Sequence, residues 1–497
     1  TTLRAAVTAA ATPAARAHAL NNLAKELGQQ GSHAEALTIA EEACELARET
    51  GELAAEAEAL RLQGVAHLPK GDYSRAMQHF EESLKMFEGV ENRSGVARAT
   101  GNIGVVHYHL SEYEKALEYF TRALALHEEL GDRSNIATVN GRMGVVYRGL
   151  SDYGRALDHL TRALAIHQEL DEHTGVAYAN SNIGIIYGNL SDFSQAMEHF
   201  GQALALYQEL GDRSGAANVT VNIGNVYVSL SDYNRALEQY TRGRALFEEL
   251  GARTGFANVT GNIGGVYYSL GDLNLALEYY THARTLHEEL GSRSSVARAT
   301  GNIGNVLLGL LDYHQALEYH TRALNLYEEL GVRSGVAEAT GSIGIAFLKL
   351  AEYDQAMEYF THAHALFEEL GDRSNAAIVT ANIGALYAEQ RFSGHNRTKA
   401  EELLLNAIMM NEELGAKQEL YEDHQTLAGL YQQESRFEDA LHHFRKYHDL
   451  YEEVHSEEAK KKARQVEQQR QIAEMEKRTA AERADAEATK RVLHNIL

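Results

Sequence analysis

Apolar residues along this chain recur at helical spacing, and the pattern they make recurs every 40 residues. Between Ser94 and Asp132, Ile103, Val106 and Leu110 fall on one helix face, and Ala116, Phe120, Ala123 and Leu126 or Leu130 fall on another. The spacing predicts a first helix over about 94–110 and a second over about 112–130. Gly131 reads as the glycine after a helix end, and Asp132 or Ser134 as the cap of the next helix. The central GNIG, Gly101 to Gly104, returns as GRMG at Gly141, SNIG at Ser181 and VNIG at Val221. It returns again as GNIG at Gly261 and Gly301, GSIG at Gly341 and ANIG at Ala381. Small residues in phase with Gly104 run from Ala24 to Ala428 and mark eleven helical pairs. The last step is 44 residues, the extra ones falling in RFSGHNRTK, 391–399, where a loop absorbs them at small entropic cost. Short runs with β-propensity, such as Val226 to Leu230, are outvoted by this register. The prediction is an all-α chain: a helical extension over 1–12, eleven stacked pairs over 13–455, and a tail of different composition over 456–497.

Composition fits that reading and removes several classes of function. Two prolines and 41 glycines in 497 residues leave helices uninterrupted and supply glycine ends. A formal charge of −24 argues against nucleic acid as a partner, since phosphate contacts need a basic stripe. Its plainest role is a solvated outer face. The single cysteine, Cys44, excludes an internal disulfide and a multi-cysteine zinc site, and fits a reducing, cytoplasmic setting. No apolar run reaches the roughly 18 residues of a membrane span. There is no phosphate loop, nucleophile elbow or HExxH motif, so neither catalysis nor a cofactor is expected. Most of the 24 histidines sit in repeat columns. His127, His167 and His287 share a position with Tyr207, Phe247, Tyr327 and Phe367, which is packing rather than metal ligation. His442 and His443 are adjacent and point to different sides of a helix, and Glu128 and Glu129 read as a solvated helix end rather than an acid–base pair.

Ile103, Gly104, His107 (Tyr147 in the next unit), Ala116, Phe120 and Ala123 recur in register and resemble the tetratricopeptide repeat, over roughly Ala14 to Tyr451. The resemblance implies a right-handed α-solenoid (superhelix) whose two helices per unit, A and B, pack through small residues. It also implies a concave face of A helices that binds protein or peptide ligands. Each unit is longer than the common form of about 34 residues and lacks the proline that usually ends helix B. The long form, with linkers such as ELGDRSGAA (Glu209 to Ala217), is most similar to the repeats of Pins/LGN polarity adaptors and of bacterial signalling proteins.

Close packing inside a pair accounts for Gly104 and its equivalents. It does not account for Gly101, Gly141, Gly261, Gly301 and Gly341, which leave room either for a ligand backbone or for a neighbouring A helix. At the next position stand Asn102, Asn182, Asn222, Asn262, Asn302 and Asn382, with Asn225 and Asn305 one turn further on. Asparagine is a poor mid-helix residue, yet its amide offers both donors and an acceptor to an extended peptide. Similarity to the adaptors implies that these asparagines hold bound peptide; the alternative is that each satisfies the helix ends of a neighbouring unit. Arg98 and Arg298, one turn before Asn102 and Asn302, are placed to receive carboxylates of the same ligand.

From Ser456 to Leu497 there is no glycine, proline or aromatic residue, and one long helix of roughly 60 Å is expected. Ala459, Val466, Ala473 and Ala480 recur every seven residues as a weak coiled-coil seam. That seam predicts a parallel homodimer, although a merely solvated helix has the same look. The last residues, ATKRVLHNIL from Ala488, resemble the segment preceding the catalytic domain of class III adenylate and guanylate cyclases. The resemblance implies that the chain is the protein-binding regulatory (sensor) region of a larger signalling protein, a nucleotide cyclase, coupled through its dimeric tail. The competing expectation is a stand-alone scaffold of the Pins/LGN kind.

Overall fold

The computed structural model describes residues 2–29 and 31–453. After a helix at Thr2–Ala9 come eleven consecutive helical hairpins, from Pro13–Gln29 with His33–Thr50 to Lys417–Gln433 with a helix over 437–453. No strand occurs among the described residues. The helices gather into two compact bodies, divided between Asn222 and Ile223.

The third unit shows how the sequence makes a hairpin. Its A helix, Arg93–His109, opens on Asn92, whose side chain accepts from the Gly95 N–H at 2.9 Å. Ala97, Ala99, Ile103, Gly104 and Val106 are buried along it. The chain turns through Ser111 in the left-handed region, φ 60°, and enters the B helix, Tyr113–Leu130. That helix buries Ala116, Phe120, Ala123 and His127, and ends on Gly131 at φ 65°. Asp132 then accepts from the Asn135 N–H at 3.2 Å and starts the next A helix. Leu110 and Leu130 do not belong to the buried faces on which their spacing puts them: they are 49% and 42% exposed. Each is the last residue before a left-handed connection, at the helix end, where the face no longer turns inward.

Two glycine columns let the helices close. A Cβ on Gly104 would lie 2.9 Å from the Phe120 ring of its own B helix, and one on Gly344 would lie 2.6 Å from Phe360. The second column joins successive units: a Cβ on Gly95, Gly175, Gly255 or Gly335 would strike Phe87, His167, Phe247 or Tyr327 of the preceding B helix within 2.6 Å. The histidine–aromatic column is therefore a packing column. Most core clusters span a hairpin and its successor, as where Phe120 meets Val139, Met143 and Val146. This is burial by nearest neighbours rather than around one centre.

Glu129, Glu169, Glu289, Glu329 and Glu369, at the ends of B helices, pair with Arg93, Arg133, Arg253, Arg293 and Arg333 at the start of the A helix in the same unit. Glu128 pairs with Arg162 of the next B helix at 2.9 Å. The expected solvated helix end is thus ion-paired, though exposed pairs of this kind contribute only about 0–1 kcal/mol each. In the tenth unit the inserted residues form the connection from Ala388 to Arg397, anchored by buried Phe392 and capped by Asn396, which accepts from the Lys399 N–H at 3.1 Å.

Candidate functional site

In the first body the inner residues of the A helices are largely engaged with one another. Asn182 donates to its own helix, to the Tyr178 carbonyl at 2.9 Å, and accepts from Arg148 at 3.1 Å. Asn102 is buried and its Nδ2 has no partner among the described residues, while Asn222 is half-buried. The Asn182 contact reaches a side chain in the last turn of the preceding A helix, Arg133–Gly149, and not that helix's backbone. Asn140 and Asn180, two positions earlier, are structural in another way: each donates to the carbonyl four residues back and meets a B-helix histidine, His159 at 2.9 Å and His199 at 2.8 Å.

Arg98 is not free to take a ligand carboxylate. Its guanidinium lies 3.0 Å from Glu58, which also holds Arg61 at 2.8 Å. Burial pushes the Glu58 carboxyl up, but the hydrogen bond and charge of Arg61, then the charge of Arg98, hold it below the usual range. Glu58 occupies the Arg98 position one unit earlier, a signal legible in the repeat register but not used.

Sequence reasoning also passed over Arg142, the arginine of GRMG, which stands where Asn102 and Asn182 stand in the flanking units. It lines a cavity of about 960 Å³ together with Gly141, His167, Glu172, Tyr178 and Tyr207. A Cβ on Gly141 would stand 3.5 Å from the Tyr178 ring, an ordinary contact distance.

The second body gathers the predicted residues more closely. Asn225, Asn258, Asn262, Arg298 and Asn302 line one cavity of about 400 Å³, with Tyr268 beside them. Arg298 and Asn302 also border a hollow of about 60 Å³ lined by Asn305 and Glu338. Asn225 accepts from the Tyr240 hydroxyl at 2.6 Å. Asn258, Asn262, Asn302 and Asn305 make no hydrogen bond to any described residue, and Arg298, which is exposed, makes no ion pair. Burial, then the charge of Asp372, pushes the Glu338 carboxyl up. Gly261 and Gly301 face only the methyls of Ala283 and Ala323, at 3.7 and 3.8 Å from where a Cβ would stand. Packing of one A helix on the next does not require these glycines. Asn382 is half-buried and lies outside both cavities.

Ala459, Val466, Ala473 and Ala480 fall outside the described residues. His424 and His443 approach through their Nδ1 atoms at 2.9 Å, but no group of three metal-ligating side chains occurs among the described residues. No described helix is long and apolar enough to cross a membrane.

Residues 15–89, 95–169, 175–249 and 255–329 each match the tetratricopeptide-repeat model. No curated protein matches the sequence. Among solved structures, a Rap protein complexed with competence and sporulation factor is similar at 15% identity and TM-score 0.54, over 72% of this chain and 99% of that one. Aspartyl phosphate phosphatase F of Bacillus subtilis is similar at 16% identity and TM-score 0.50, over 71% of this chain and 93% of that one. A STAND ATPase with a tetratricopeptide repeat sensor, from Pyrococcus horikoshii, is similar at 17% identity and TM-score 0.52, over 72% of this chain and 54% of that one. At such identities the likeness is one of fold. With most of its length matched in register with the hairpins, the chain belongs to the tetratricopeptide-repeat family of protein-interaction solenoids.

Proposed function

We propose that the amide-lined cavity of the second body binds an extended peptide, and that the chain is the ligand-sensing region of a signalling protein. The observation that carries the reading is the unengaged amides. Four asparagines spend helix propensity on side chains that bond to none of the described residues, beside an arginine with no counter-ion among them. A peptide backbone answers the amides with its own N–H and C=O groups, and a ligand carboxylate answers Arg298. The Rap protein, which shares the fold, is seen with a factor bound, and the STAND protein's repeats are described as a sensor. Both support a sensing role here.

The test is selection from a random peptide library. The intact chain should enrich a consensus, and Asn262→Ala with Asn302→Ala should keep the helical circular dichroism yet lose that enrichment. Each missing hydrogen bond is worth about 0.5–1.5 kcal/mol. A double variant that unfolds would make the asparagines structural.

The output side of the reading is a class III cyclase driven through a dimeric tail seamed by Ala459, Val466, Ala473 and Ala480, and it is supported by the residues from Ala488 to Leu497. An in-frame cyclase domain coded after Leu497 would support it, whereas a stop codon there would favour the Pins/LGN-like scaffold. Light scattering tests the seam: truncation at His455 should convert a dimer to a folded monomer.

A further inference from the structure

One cation of the first body stands apart from its neighbours. Arg142 makes no hydrogen bond or ion pair with any described residue. The other inward arginines are engaged, Arg61 and Arg98 by Glu58 and Arg148 by Asn182. Burial disfavours its charged form; Tyr178 works against that effect, and the charge of Arg61 adds to it. A guanidinium held among protein walls without a counter-ion is a cost that natural sequences rarely keep without use. Its surroundings leave room for a ligand. A Cβ on Gly101 would already stand 3.7 Å from Nη1 of Arg142, so a larger side chain there would crowd the guanidinium. On its other side lies the cavity of about 960 Å³, into which the Tyr178 ring is 43% exposed.

We propose that this cavity is a carboxylate-recognition site, in which Arg142 receives the side-chain carboxylate of an acidic residue in a bound peptide. The planar guanidinium meets a carboxylate through two parallel N–H donors, a match that the asparagines of the same column do not offer. The acids of the cavity do not compete: Glu172 is held by His167 at 2.7 Å, Asp171 by His173 at 3.0 Å, and Asp212 accepts from the Gly215 N–H at 2.9 Å. They do select. All three acids repel an anion, and a phosphate, with close to two negative charges, meets about twice the repulsion of a singly charged carboxylate. The proposal rests on the peptide-binding reading only for the source of the carboxylate.

Its test therefore uses single-residue probes on the full chain with ¹⁵N-labelled arginine. The side-chain Nε–H signal missing from Arg142→Gln reports on the site. If that variant loses its helical circular dichroism, Arg142→Lys supplies the assignment. At matched ionic strength, N-acetylglutamate amide should shift the signal saturably and N-acetylglutamine amide should not. The shift should survive in the Asn262→Ala, Asn302→Ala variant, so failure of the other cavity leaves this result standing. No shift, or an equal shift with the glutamine probe, would overturn the assignment. Tighter saturation with N-acetylphosphoserine amide would overturn it in favour of a phosphate site.

Discussion

Gly104 and Gly261 look alike in the sequence, three positions apart in one motif, but they answer to different neighbours. A methyl on Gly104 meets the ring of Phe120, which is fully buried and has nowhere to go. The expected cost of Gly104→Ala is about 1–3 kcal/mol, only partly offset by the ~1 kcal/mol that alanine gains in a helix. A methyl on Gly261 meets one alanine methyl at ordinary contact distance, so Gly261→Ala should raise stability by up to ~1 kcal/mol. Thermal melts of the two variants should move in opposite directions. The sequence alone marked Gly104 as a packing glycine and left Gly261 open between a ligand backbone and a neighbouring A helix. It missed Gly95 and its equivalents, because the ring that demands them comes from the preceding unit. His320 carries a pH prediction. Its imidazole takes the place of Phe120 and Phe360, is buried, and is pushed by that burial down to about 4. Unfolded, it titrates near 6.5 and binds a proton before the folded state does. Stability is therefore complete above about pH 6.5 and is lost as pH falls toward 4, by up to roughly 3 kcal/mol. His320→Phe should remove that loss from the eighth unit, as read by hydrogen exchange in Tyr313–Leu330 between pH 7 and pH 4.5.

At the scale of the element, helices were legible because several signals agree: apolar spacing, aspartate caps and terminal glycines. Asp152, Asp192 and Asp232 cap B helices as that chemistry requires, accepting from N–H groups at 3.0–3.1 Å. The connections between A and B helices were less legible. Ser111, Ser151, Ser191, Ser231, Leu311 and Ala351 all adopt φ near +60° where a glycine is the ordinary choice, while Gly31, Gly71 and Gly271 supply one in their own units. The short connection imposes the left-handed residue whatever stands there, and propensity yields to tertiary packing. Leu311 has little to lose, being 69% exposed. Leu311→Gly should raise stability by about 0.5–1 kcal/mol, because relief of the left-handed strain exceeds the added entropy of the unfolded chain. An unchanged melting temperature would mean that the connection carries no such strain.

For the whole molecule, periodicity gave the architecture while departures from it marked the candidate sites. Unengaged amides, Arg142 and Arg298 are visible as letters in a column, but whether each is already partnered depends on residues a unit away, as Glu58 shows for Arg98. The repeat logic also determines how damage should travel. Core clusters in this chain join a hairpin to its successor, so stability is a sum of unit and interface contributions. Gly184 lies in the A helix of the fifth unit, where even a Cβ would come 2.8 Å from the Phe200 ring, and Gly184→Leu must push helix A from helix B. Native-state hydrogen exchange should then show lost protection in His173–Asn189 and Phe193–Glu209, and a smaller loss in the preceding pair that contributes Tyr147 and Leu157 to the same cluster. Helices Arg333–Lys349 and Tyr353–Leu370 lie four units away and should exchange as in the parent chain. Uniform loss across both groups would mean that the hairpins unfold as one cooperative block, and the nearest-neighbour account of this solenoid would have to be given up.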